Sequence, residues 1–415
     1  MIRQIAYITL FLLLFSTSNY SQWFQQTSGT SSDLRSIENT ENEIVYIAGG
    51  SGTLLKSTNG GDVWFSLVSG TSNGLWDIEF INNNIGYCVG VGGTILKTTD
   101  GGLTWFPQNS GTTETLYCIF IVDANNLYIG STFGTILKSI DGGEEWSIQN
   151  LGNYGHIVDM HFLNHDIGFA CGIGFAIKTT DGGTNWIQMD TGGIQDNWFP
   201  SVYFQNPNVG YIISGYGDPY GWSTGQISKT NDGGNNWIQL YAGANFLSDI
   251  VFLSENLAFV VGIGGMILKT TNTGSDWLIE DTPTNNFLFD IDFSIPIGGY
   301  VDGFAVGEDG IILKRDEISS VKQDETFITN YNLSQNYPNP FNPTTTIKYQ
   351  IPELSFIILK VYDVLGNEIV TLVNEEKPSG SYEVEFFGTG LPSGIYFYQL
   401  HTASFVETKK MVLLK

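Results

Sequence analysis

Charged residues are scarce in this chain, and those of positive sign are scarcest. Only 14% of the 415 residues are charged, and 17 basic residues stand against 42 acidic ones, which gives a net charge of −25. Most of this charge lies in 22–315, with 9 basic and 30 acidic residues. Nucleic acid and anionic membrane surfaces require a basic footprint, so we expect neither as a partner. The acidity instead favours solubility.

Cysteine and histidine are also rare, with three and four residues. Cys88, Cys118 and Cys171 form an odd set without a Cys-x-x-Cys motif. Cys88 and Cys171 lie on the same segment of their repeat copies, where other copies carry Ala or Val. We therefore expect small buried side chains rather than a disulfide framework, and we predict no metal site and no cofactor.

Long apolar runs are confined to the N-terminus. Residues 5–15 are apolar, follow Arg3 and precede small polar residues up to Ser21. This arrangement predicts a secretory signal over 1–21, because the apolar run is too short to span a bilayer comfortably. No other segment approaches that length, so we expect no transmembrane segment in the mature chain. The 50 glycines and the 14% of aromatic residues suit many short strands and turns.

A sequence unit recurs through 22–315. Its clearest copy, Gly90 to Trp105, is a short β-branched run closed by an Asp-Gly-Gly turn and a tryptophan. One lysine marks each copy, at steps of 41, 41, 40, 51, 40 and 45 residues: Lys56, Lys97, Lys138, Lys178, Lys229, Lys269 and Lys314. A period of roughly 40 residues with four short strands per unit predicts an all-β fold, a β-propeller with one unit per blade.

The turn of each unit has a defined chemistry. Its Asp or Asn accepts hydrogen bonds from backbone groups just ahead, and the glycines supply positive φ. The turn residues are Asn59, Asp100, Asp141, Asp181 and Asp232, and the tryptophans are Trp64, Trp105, Trp146, Trp186, Trp237 and Trp277. This pattern resembles the Asp-box, or bacterial neuraminidase (BNR), repeat. The whole unit resembles the propeller of the photosystem II assembly and stability factor family, and the resemblance implies that these turns are structural.

Six complete units and two fragments make seven. The stretch from Trp23 parallels the one from Trp64, but no unit precedes it, while Lys314 has no tryptophan strand after it. We therefore expect the N-terminal strand to complete the last sheet, closing a seven-bladed propeller over 22–315. Such closure removes free sheet edges.

The rest of the chain has a different character. Residues 316–331 are polar and break the period, which predicts a linker. Residues 332–415 open with Asn-Pro pairs and continue as strand-like runs, which predicts a small β-sandwich of immunoglobulin-like type. These runs are Thr346–Gln350, Ile357–Asp363, Glu368–Val373, Tyr382–Phe387, Ile395–His401 and Lys410–Leu414.

Four motifs of 332–415 carry a second resemblance, at 337–343, 361–366, 393–398 and 409–415. Together they resemble the type IX secretion C-terminal sorting domain, type A. The resemblance implies passage across both membranes of a Gram-negative bacterium, with 332–415 as the segment that the secretion machinery recognises. It also implies an extracellular or surface-anchored protein.

Two enzyme classes need separate treatment. A sialidase binds a carboxylate with several guanidinium groups, but this chain has only Arg3, Arg35 and Arg315, which excludes that class. A glycoside hydrolase needs a pair of carboxylates. Equivalent carboxylates occur on the innermost strands, and their recurrence favours a repeated structural hydrogen bond: Asp77, Asp159, Asp249 and Asp290. We assign no catalytic residue.

Aromatic residues occur in two places, in the loops that lead into the innermost strands and in an insert in the fifth unit. The former are Trp76, Tyr117, His156, Trp198, Phe246 and Phe287, and the insert contains Tyr216, Asp218, Tyr220 and Trp222. Aromatic side chains on loops stack on sugar rings or anchor peptides, so Trp76, Tyr117 and Trp198 and the four insert residues are the predicted ligand-binding set.

The favoured prediction is a non-enzymatic binding protein for an extracellular protein or glycan. A glycoside hydrolase is the alternative, and a structural role in a surface layer stays open. The repeated lysines are expected to pair with nearby aspartates rather than to bind anions.

Overall fold

The computed structural model describes residues 23–152, 154–191, 198–216, 224–294, 301–315, 331–352, 355–377, 380–402 and 405–414. These residues form two compact units, divided within 316–330. They consist of strands, turns and four short 3-10 helices: Gly50–Gly52, Val91–Gly93, Thr132–Gly134 and Glu308–Gly310. Across the described ranges, no helix has the length and apolarity that crossing a membrane requires.

The described part of the first unit contains seven four-stranded antiparallel sheets. Strand β1 (Phe24–Gln26) precedes six sheets that are each contiguous in sequence. The first three are β2 (Leu34–Asn39), β3 (Val45–Gly49), β4 (Leu54–Ser57), β5 (Phe65–Ser66); β6 (Leu75–Phe80), β7 (Gly86–Gly90), β8 (Thr94–Thr98), β9 (Phe106–Asn109); and β10 (Leu116–Ile121), β11 (Leu127–Ser131), β12 (Thr135–Ser139), β13 (Ser147–Asn150).

The next three sheets follow the same order of strands. They are β14 (Ile157–Phe162), β15 (Gly168–Gly172), β16 (Phe175–Thr179), β17 (Ile187–Gln188); β18 (Val202–Phe204), β19 (Gly210–Tyr216), β20 (Thr224–Thr230), β21 (Ile238–Gly243); and β22 (Leu247–Phe252), β23 (Ala258–Gly262), β24 (Met266–Thr270), β25 (Leu278–Glu280). The seventh sheet consists of β26 (Leu288–Phe293), β27 (Gly303–Gly307), β28 (Ile312–Arg315) and the distant β1.

The second strand of each sheet shows why the repeat has its sequence. Strands such as β7 and β23 are buried along their whole length, since each sheet packs between two others. The glycine that ends β7 is required by space, because a Cβ on Gly90 would lie 2.2 Å from the carbonyl oxygen of Gly74. The repeated glycines therefore let adjacent backbones approach closely.

The first strands of neighbouring sheets lie side by side in a continuous order. That order is β2, β6, β10, β14, β18, β22 and β26, and β26 in turn lies against β2. The sheets of the first unit therefore follow one another around a closed circuit.

The N-terminal strand completes the last sheet, as the sequence predicts. Phe24 lies opposite Lys314 in an antiparallel pairing of β1 with β28. Trp23 is fully buried, and its indole nitrogen donates a hydrogen bond to Glu280 Oε2 at 2.8 Å. Arg315 forms an ion pair with the same carboxylate. The two ends of the unit are thus held together by backbone pairing and by a buried side-chain network.

The described part of the second unit contains two sheets around one apolar core. Its strands are β29 (Asn332–Leu333), β30 (Thr344–Ile351), β31 (Ser355–Tyr362), β32 (Glu368–Lys377), β33 (Gly380–Phe387), β34 (Gly394–His401) and β35 (Val406–Leu413). The sheets have the orders β29-β30-β33 and β32-β31-β34-β35. The six predicted runs each fall on a strand, and β29 is an additional strand that the pattern did not indicate.

We expect the Trp23→Ala substitution to destabilise the first unit by about 3–5 kcal/mol, as for other buried tryptophans. The cavity would lie at the joint between the N-terminal strand and the last sheet, and Glu280 would lose its indole donor. Chemical denaturation followed by tryptophan fluorescence and circular dichroism measures the change. Phe24→Ala is the matched control, because Phe24 is 38% exposed. Equal stability of the two variants would show that Trp23 does not secure closure.

Candidate functional site

One edge of the seven sheets is formed by the loops that enter the first strands and by the turns that join the second strands to the third. Backbone hydrogen bonds hold each turn to its loop, as from Val91 N to Gly74 O at 2.9 Å and from Ile173 N to His156 O at 3.2 Å. We call this edge of the first unit the loop face. Its composition varies from sheet to sheet, which is typical of surfaces that bind ligands.

In six of the seven described sheets, a β-bulge near the start of the first strand positions one side chain on this face. The register shifts between Leu75 and Asp77, so Trp76 is left without a partner residue in β7. Tyr117 and Phe289 occupy the same place in their sheets, and Arg35 does so in the first. Bulges of this kind redirect a side chain, and here they bring four large side chains to the loop face.

The predicted residues Trp76 and Tyr117 contact each other. Their ring centroids are 5.3 Å apart in an edge-on arrangement. Tyr117 also stacks on His156 at 5.3 Å, and His156 meets the ring of Phe133 at 5.8 Å. Trp76, Tyr117 and His156 are half-buried, whereas Phe133 is exposed. The loop face therefore presents one continuous aromatic strip over three neighbouring sheets.

Arg35 joins this strip to aromatic residues on its other side. Its guanidinium carbon lies 4.7 Å from the ring centre of Trp76 and 4.2 Å from that of Phe289. Asp33 accepts a hydrogen bond from the guanidinium at 2.7 Å. Burial lowers the pKa of Arg35, and the charge of Asp33 opposes that shift. A cation held between two rings and beside a carboxylate is a stable arrangement.

Trp198 lies at the far end of the aromatic series. Phe289 contacts Phe287 at 4.6 Å, Phe287 contacts Phe246 at 6.0 Å, and Phe246 contacts Trp198 at 6.0 Å. Phe246 is buried, so it packs in the core rather than on the surface. Two series of contacting rings, one from Phe133 to Trp76 and one from Phe289 to Trp198, are thus joined through Arg35.

The described residues include only the two ends of the insert in the fifth sheet. The backbone of Tyr216 pairs with Thr224 across β19 and β20. The side chain of Tyr216 and the whole of Asp218, Tyr220 and Trp222 lie outside the described residues. A ligand role for these four residues stays a prediction.

Two residues of the loop face were missed by sequence reasoning. Arg35 occupies the position of Trp76 in the first unit, and Phe133 occupies the position of Gly92 in the third. Aligning the units position by position would have indicated both, because each departs in size or charge from its counterparts.

The repeated carboxylates link neighbouring sheets. Asp77 Oδ2 accepts a hydrogen bond from the backbone N–H of Ile119 in the next sheet at 2.7 Å. Asp159 accepts one from Val202 at 2.7 Å in the same way. Ser201, which fills this position in the fifth sheet, donates its hydroxyl to Asp249 at 2.9 Å. These groups therefore make the repeated structural hydrogen bonds that their spacing indicated.

Two further carboxylates make equivalent bonds deeper along the first strands. Glu79 accepts from the N–H of Ile121 at 2.8 Å, and Asp292 accepts from the N–H of Asn39 at 2.7 Å. The sequence analysis did not predict these bonds, although Glu79 and Asp292 lie two residues after Asp77 and Asp290 in the sequence.

Among the described residues, no group of three or more His, Cys, Asp or Glu side chains has the arrangement of a metal site.

Burial and mutual repulsion raise the pKa values of these acids. Burial raises the pKa of Asp77, and the charge of Asp249 raises it further, although their sheets are three places apart in the circuit. The carboxylates thus face a shared interior. Burial, and then the charge of Asp249, raises the pKa of Asp159 to about 8. Burial raises the pKa of Asp292 to about 6.

The Asp-box turns lie on the edge opposite the loop face, between third and fourth strands. Asp100 Oδ1 accepts from the hydroxyl of Thr98 and from the N–H of Thr104, both at 2.9 Å. Gly101 and Gly102 have φ of 68° and 80°, which glycine adopts without strain. Equivalent hydrogen bonds recur in the other boxes, for example from Ser139 to Asp141, Thr179 to Asp181 and Thr230 to Asp232.

The prediction that the repeated lysines pair with aspartates is wrong for three of them. Each donates instead to a glycine carbonyl of the neighbouring Asp-box: Lys56 to Gly101, Lys138 to Gly182 and Lys178 to Gly233. The hydroxyls of Tyr46 and Tyr128 donate to the same carbonyls as the first two. The turn directs this oxygen towards the adjacent sheet, so a carbonyl rather than a carboxylate is within reach. Lys97 makes the same bond, to Gly142, and also pairs with Glu144, whereas Lys314 pairs with an aspartate, Asp62.

Burial determines the protonation state of the three cysteines and of His161. Cys88, Cys118 and Cys171 are buried with free thiols, and burial raises the pKa of each well above its usual range. Burial lowers the pKa of His161 to about 4, so its imidazole is neutral at pH 7. Thiols of this kind are inert as nucleophiles.

We expect the stability of the first unit to fall as the pH rises from about 4 to about 8, because folded Asp159 keeps a proton that the unfolded chain releases. This stabilisation is complete below the unfolded pKa and is lost as the pH passes the folded value. Asp159→Asn should reduce the fall in the thermal midpoint by a few degrees, since each kcal/mol corresponds to roughly 2–4 °C.

Thermal denaturation between pH 4 and pH 9 tests the expectation for Asp159. Glu145→Gln is the control, because Glu145 is an exposed carboxylate. A fall of the same size in the Asp159 variant and in the wild type would show that Asp159 does not retain the proton.

Two family models match separate parts of the chain. Residues 63–154 match the model described as photosynthesis system II assembly factor YCF48, and residues 335–414 match the secretion system C-terminal sorting domain. No curated protein matches the sequence.

Solved structures of similar fold include YCF48 bound to D1 peptide, at 19% identity and a TM-score of 0.58, covering 72% of this chain and 98% of that chain. YCF48 from Cyanidioschyzon merolae is 18% identical, with a TM-score of 0.57, and the match covers 71% of this chain and 98% of that one. At these identities the likeness establishes the β-propeller fold alone. The chain therefore joins a β-propeller with a YCF48-like BNR-repeat segment to a C-terminal sorting domain of the type IX secretion system.

Proposed function

We propose that this chain is an exported, surface-displayed binding protein, and that its loop face takes an extracellular protein or glycan. The observation that carries the proposal is a pair of ring series, from Phe133 to Trp76 and from Phe289 to Trp198, that the guanidinium of Arg35 joins. Half-buried rings on a rigid scaffold offer large contact areas with little loss of conformational entropy on binding. A solved propeller of similar fold is described with a bound peptide, which supports a ligand on this architecture.

We further propose that the binding unit is a closed seven-bladed propeller over 22–315. Seven four-stranded sheets in the described residues support this count, as does the circuit of first strands that returns from β26 to β2. In this arrangement the loop face is one end of the ring and the Asp-boxes occupy the other. The uniform Asp-box end holds the blades, so the varied end is available for recognition.

The chemistry of the interior supports binding rather than hydrolysis. Asp249 and Asp290 share a hydrogen bond, and burial, then the charge of Asp249, raises the pKa of Asp290 well above its usual range. A protonated acid beside a carboxylate is what a glycoside hydrolase uses. Here, however, Asp290 also accepts the backbone N–H of Ile37 at 2.8 Å, so it is committed to joining two sheets.

We assign export to the second unit. Its sorting domain implies passage by type IX secretion and an extracellular or surface location. Its two sheets around one core support a β-sandwich over 332–415. A secretory signal over 1–21 and a linker over 316–331 complete the proposed organisation.

Arrays of glycans and of extracellular proteins, probed with the purified chain, test the binding role. We expect binding by the wild type and at least a tenfold loss in the Trp76→Ala/Tyr117→Ala double variant, because both rings lie at the centre of the strip. Phe106→Ala is the control, since Phe106 is 56% exposed on an outer strand. Unchanged melting temperatures would show that the variants fold. Binding that survives the double substitution would place the site elsewhere.

Deletion of 332–415 should leave the propeller in the periplasm, because the machinery would lack its recognition domain. Cell fractionation and surface protease treatment measure the location. Fusing 316–415 to a fluorescent protein with a secretory signal is the complementary gain-of-function test, and surface fluorescence is expected. Surface delivery of the truncated chain would contradict the assignment.

A further inference from the structure

We propose that the loop face binds a peptide segment that carries lysine or arginine beside apolar residues, and that Phe133 is one of its contact residues. The inference rests on the proposed function and names the class of ligand for the same face. Three independent features support it: the conformation of Phe133, the apolar strip around it, and the sign of the charge on the loop face.

Phe133 has a backbone conformation that bulky residues rarely adopt. Its φ is 54°, and its side chain is 61% exposed. Gly92 forms the equivalent turn in the second sheet with φ of 68°, so the fold does not require an aromatic residue here. A bulky residue in this region costs about 1–3 kcal/mol. Neither burial nor turn geometry accounts for the phenylalanine, whereas a contact with a ligand does.

Apolar residues occur in the turns of the sheets on both sides of Phe133. Val91 and Ile173 are 39% and 40% exposed and sit one residue earlier in the equivalent turns of the two neighbouring sheets. Tyr117 and His156 fill the space towards the first strands, and His156 touches the Phe133 ring. The strip thus crosses three adjacent sheets, which suits an extended segment several residues long.

The charges around the strip favour a cationic ligand. Asp33, Glu114, Glu308 and Asp309 lie in the loops and turns of this face, and Arg35 is the basic residue among them. The range 22–315 as a whole is strongly acidic. This field attracts a basic segment and repels an acidic one, while a neutral sugar gains nothing from it.

The contacts of Arg35 are an example of how this face would accommodate such a cation. Arg35 lies between the rings of Trp76 and Phe289 with the carboxylate of Asp33 beside it. A second carboxylate, that of Glu114, lies beside the turn that carries the Phe133 ring. Glu114 Oε2 accepts a hydrogen bond at 2.5 Å from the hydroxyl of Thr132, the residue before Phe133. A ligand cation over the Phe133 ring would therefore have a carboxylate within reach, as Arg35 does.

Selection of a displayed random hexapeptide library on the purified full chain tests the inference. We expect recovered peptides enriched in arginine and lysine beside aromatic or aliphatic residues. Binding of a recovered peptide, measured by fluorescence anisotropy, should weaken at least tenfold in Phe133→Gly and in Glu114→Gln, and it should weaken as salt is raised. The Phe133→Gly chain should melt at the same or a higher temperature, because glycine relieves the positive φ.

Leu103→Gly is the matched control. Leu103 is 74% exposed in an Asp-box turn on the opposite edge, so its replacement should leave peptide binding unchanged. Recovery of acidic or uncharged peptides, or full binding by Phe133→Gly, would overturn the inference while leaving the binding role intact. A third outcome is that no peptide is recovered, while the wild type binds a glycan and the Trp76→Ala/Tyr117→Ala variant does not. That outcome would support the binding role of the loop face and would contradict a peptide as its ligand. Failure of every library and array would reject both.

Discussion

Closure of the first unit on itself is the constraint on which the rest of the structure depends. Its seventh sheet combines strands from opposite ends of the unit, with Phe24 opposite Lys314. The joint is buried, and Arg315 reaches both Glu280 and the ring face of Trp23. Because every sheet packs between two others, an open circuit would expose two apolar sheet faces. The short N-terminal strand therefore stabilises far more than the single sheet it joins.

Side chains that reach from one sheet to the next join the sheets in two places, near the interior and at the Asp-box edge. Near the interior, carboxylates such as Asp77 and Asp159 accept backbone N–H groups of the following sheet. At the Asp-box edge, lysine and tyrosine donate to glycine carbonyls of the following sheet, as Lys56 and Tyr46 do to Gly101. Part of the acidity of the chain is thus structural, and protonation of the most buried acids relieves their mutual repulsion.

This division leaves the loop face free to vary. The Asp-box edge repeats the same residues because each box forms the same turn between the third and fourth strands of its sheet. On the loop face, equivalent bulge positions carry Arg35, Trp76, Tyr117 and Phe289, which serve no common structural requirement. A repeat protein can keep one end uniform for stability and diversify the other, since the strands between them are set by local pairing.

The strands, the Asp-box turns, the repeat and the pairing of the N-terminal strand with the last sheet could be predicted from the residues alone. These features follow from local signals, namely alternation of apolar residues, glycine at positive φ and a fixed period. The groups that meet across sheets were evident only from the folded chain, such as Lys138 with the carbonyl of Gly182, or Arg35 between Trp76 and Phe289. Partners of this kind are separated by about one period or by the whole circuit, and their meeting depends on sheet packing and bulge direction, which no local pattern encodes.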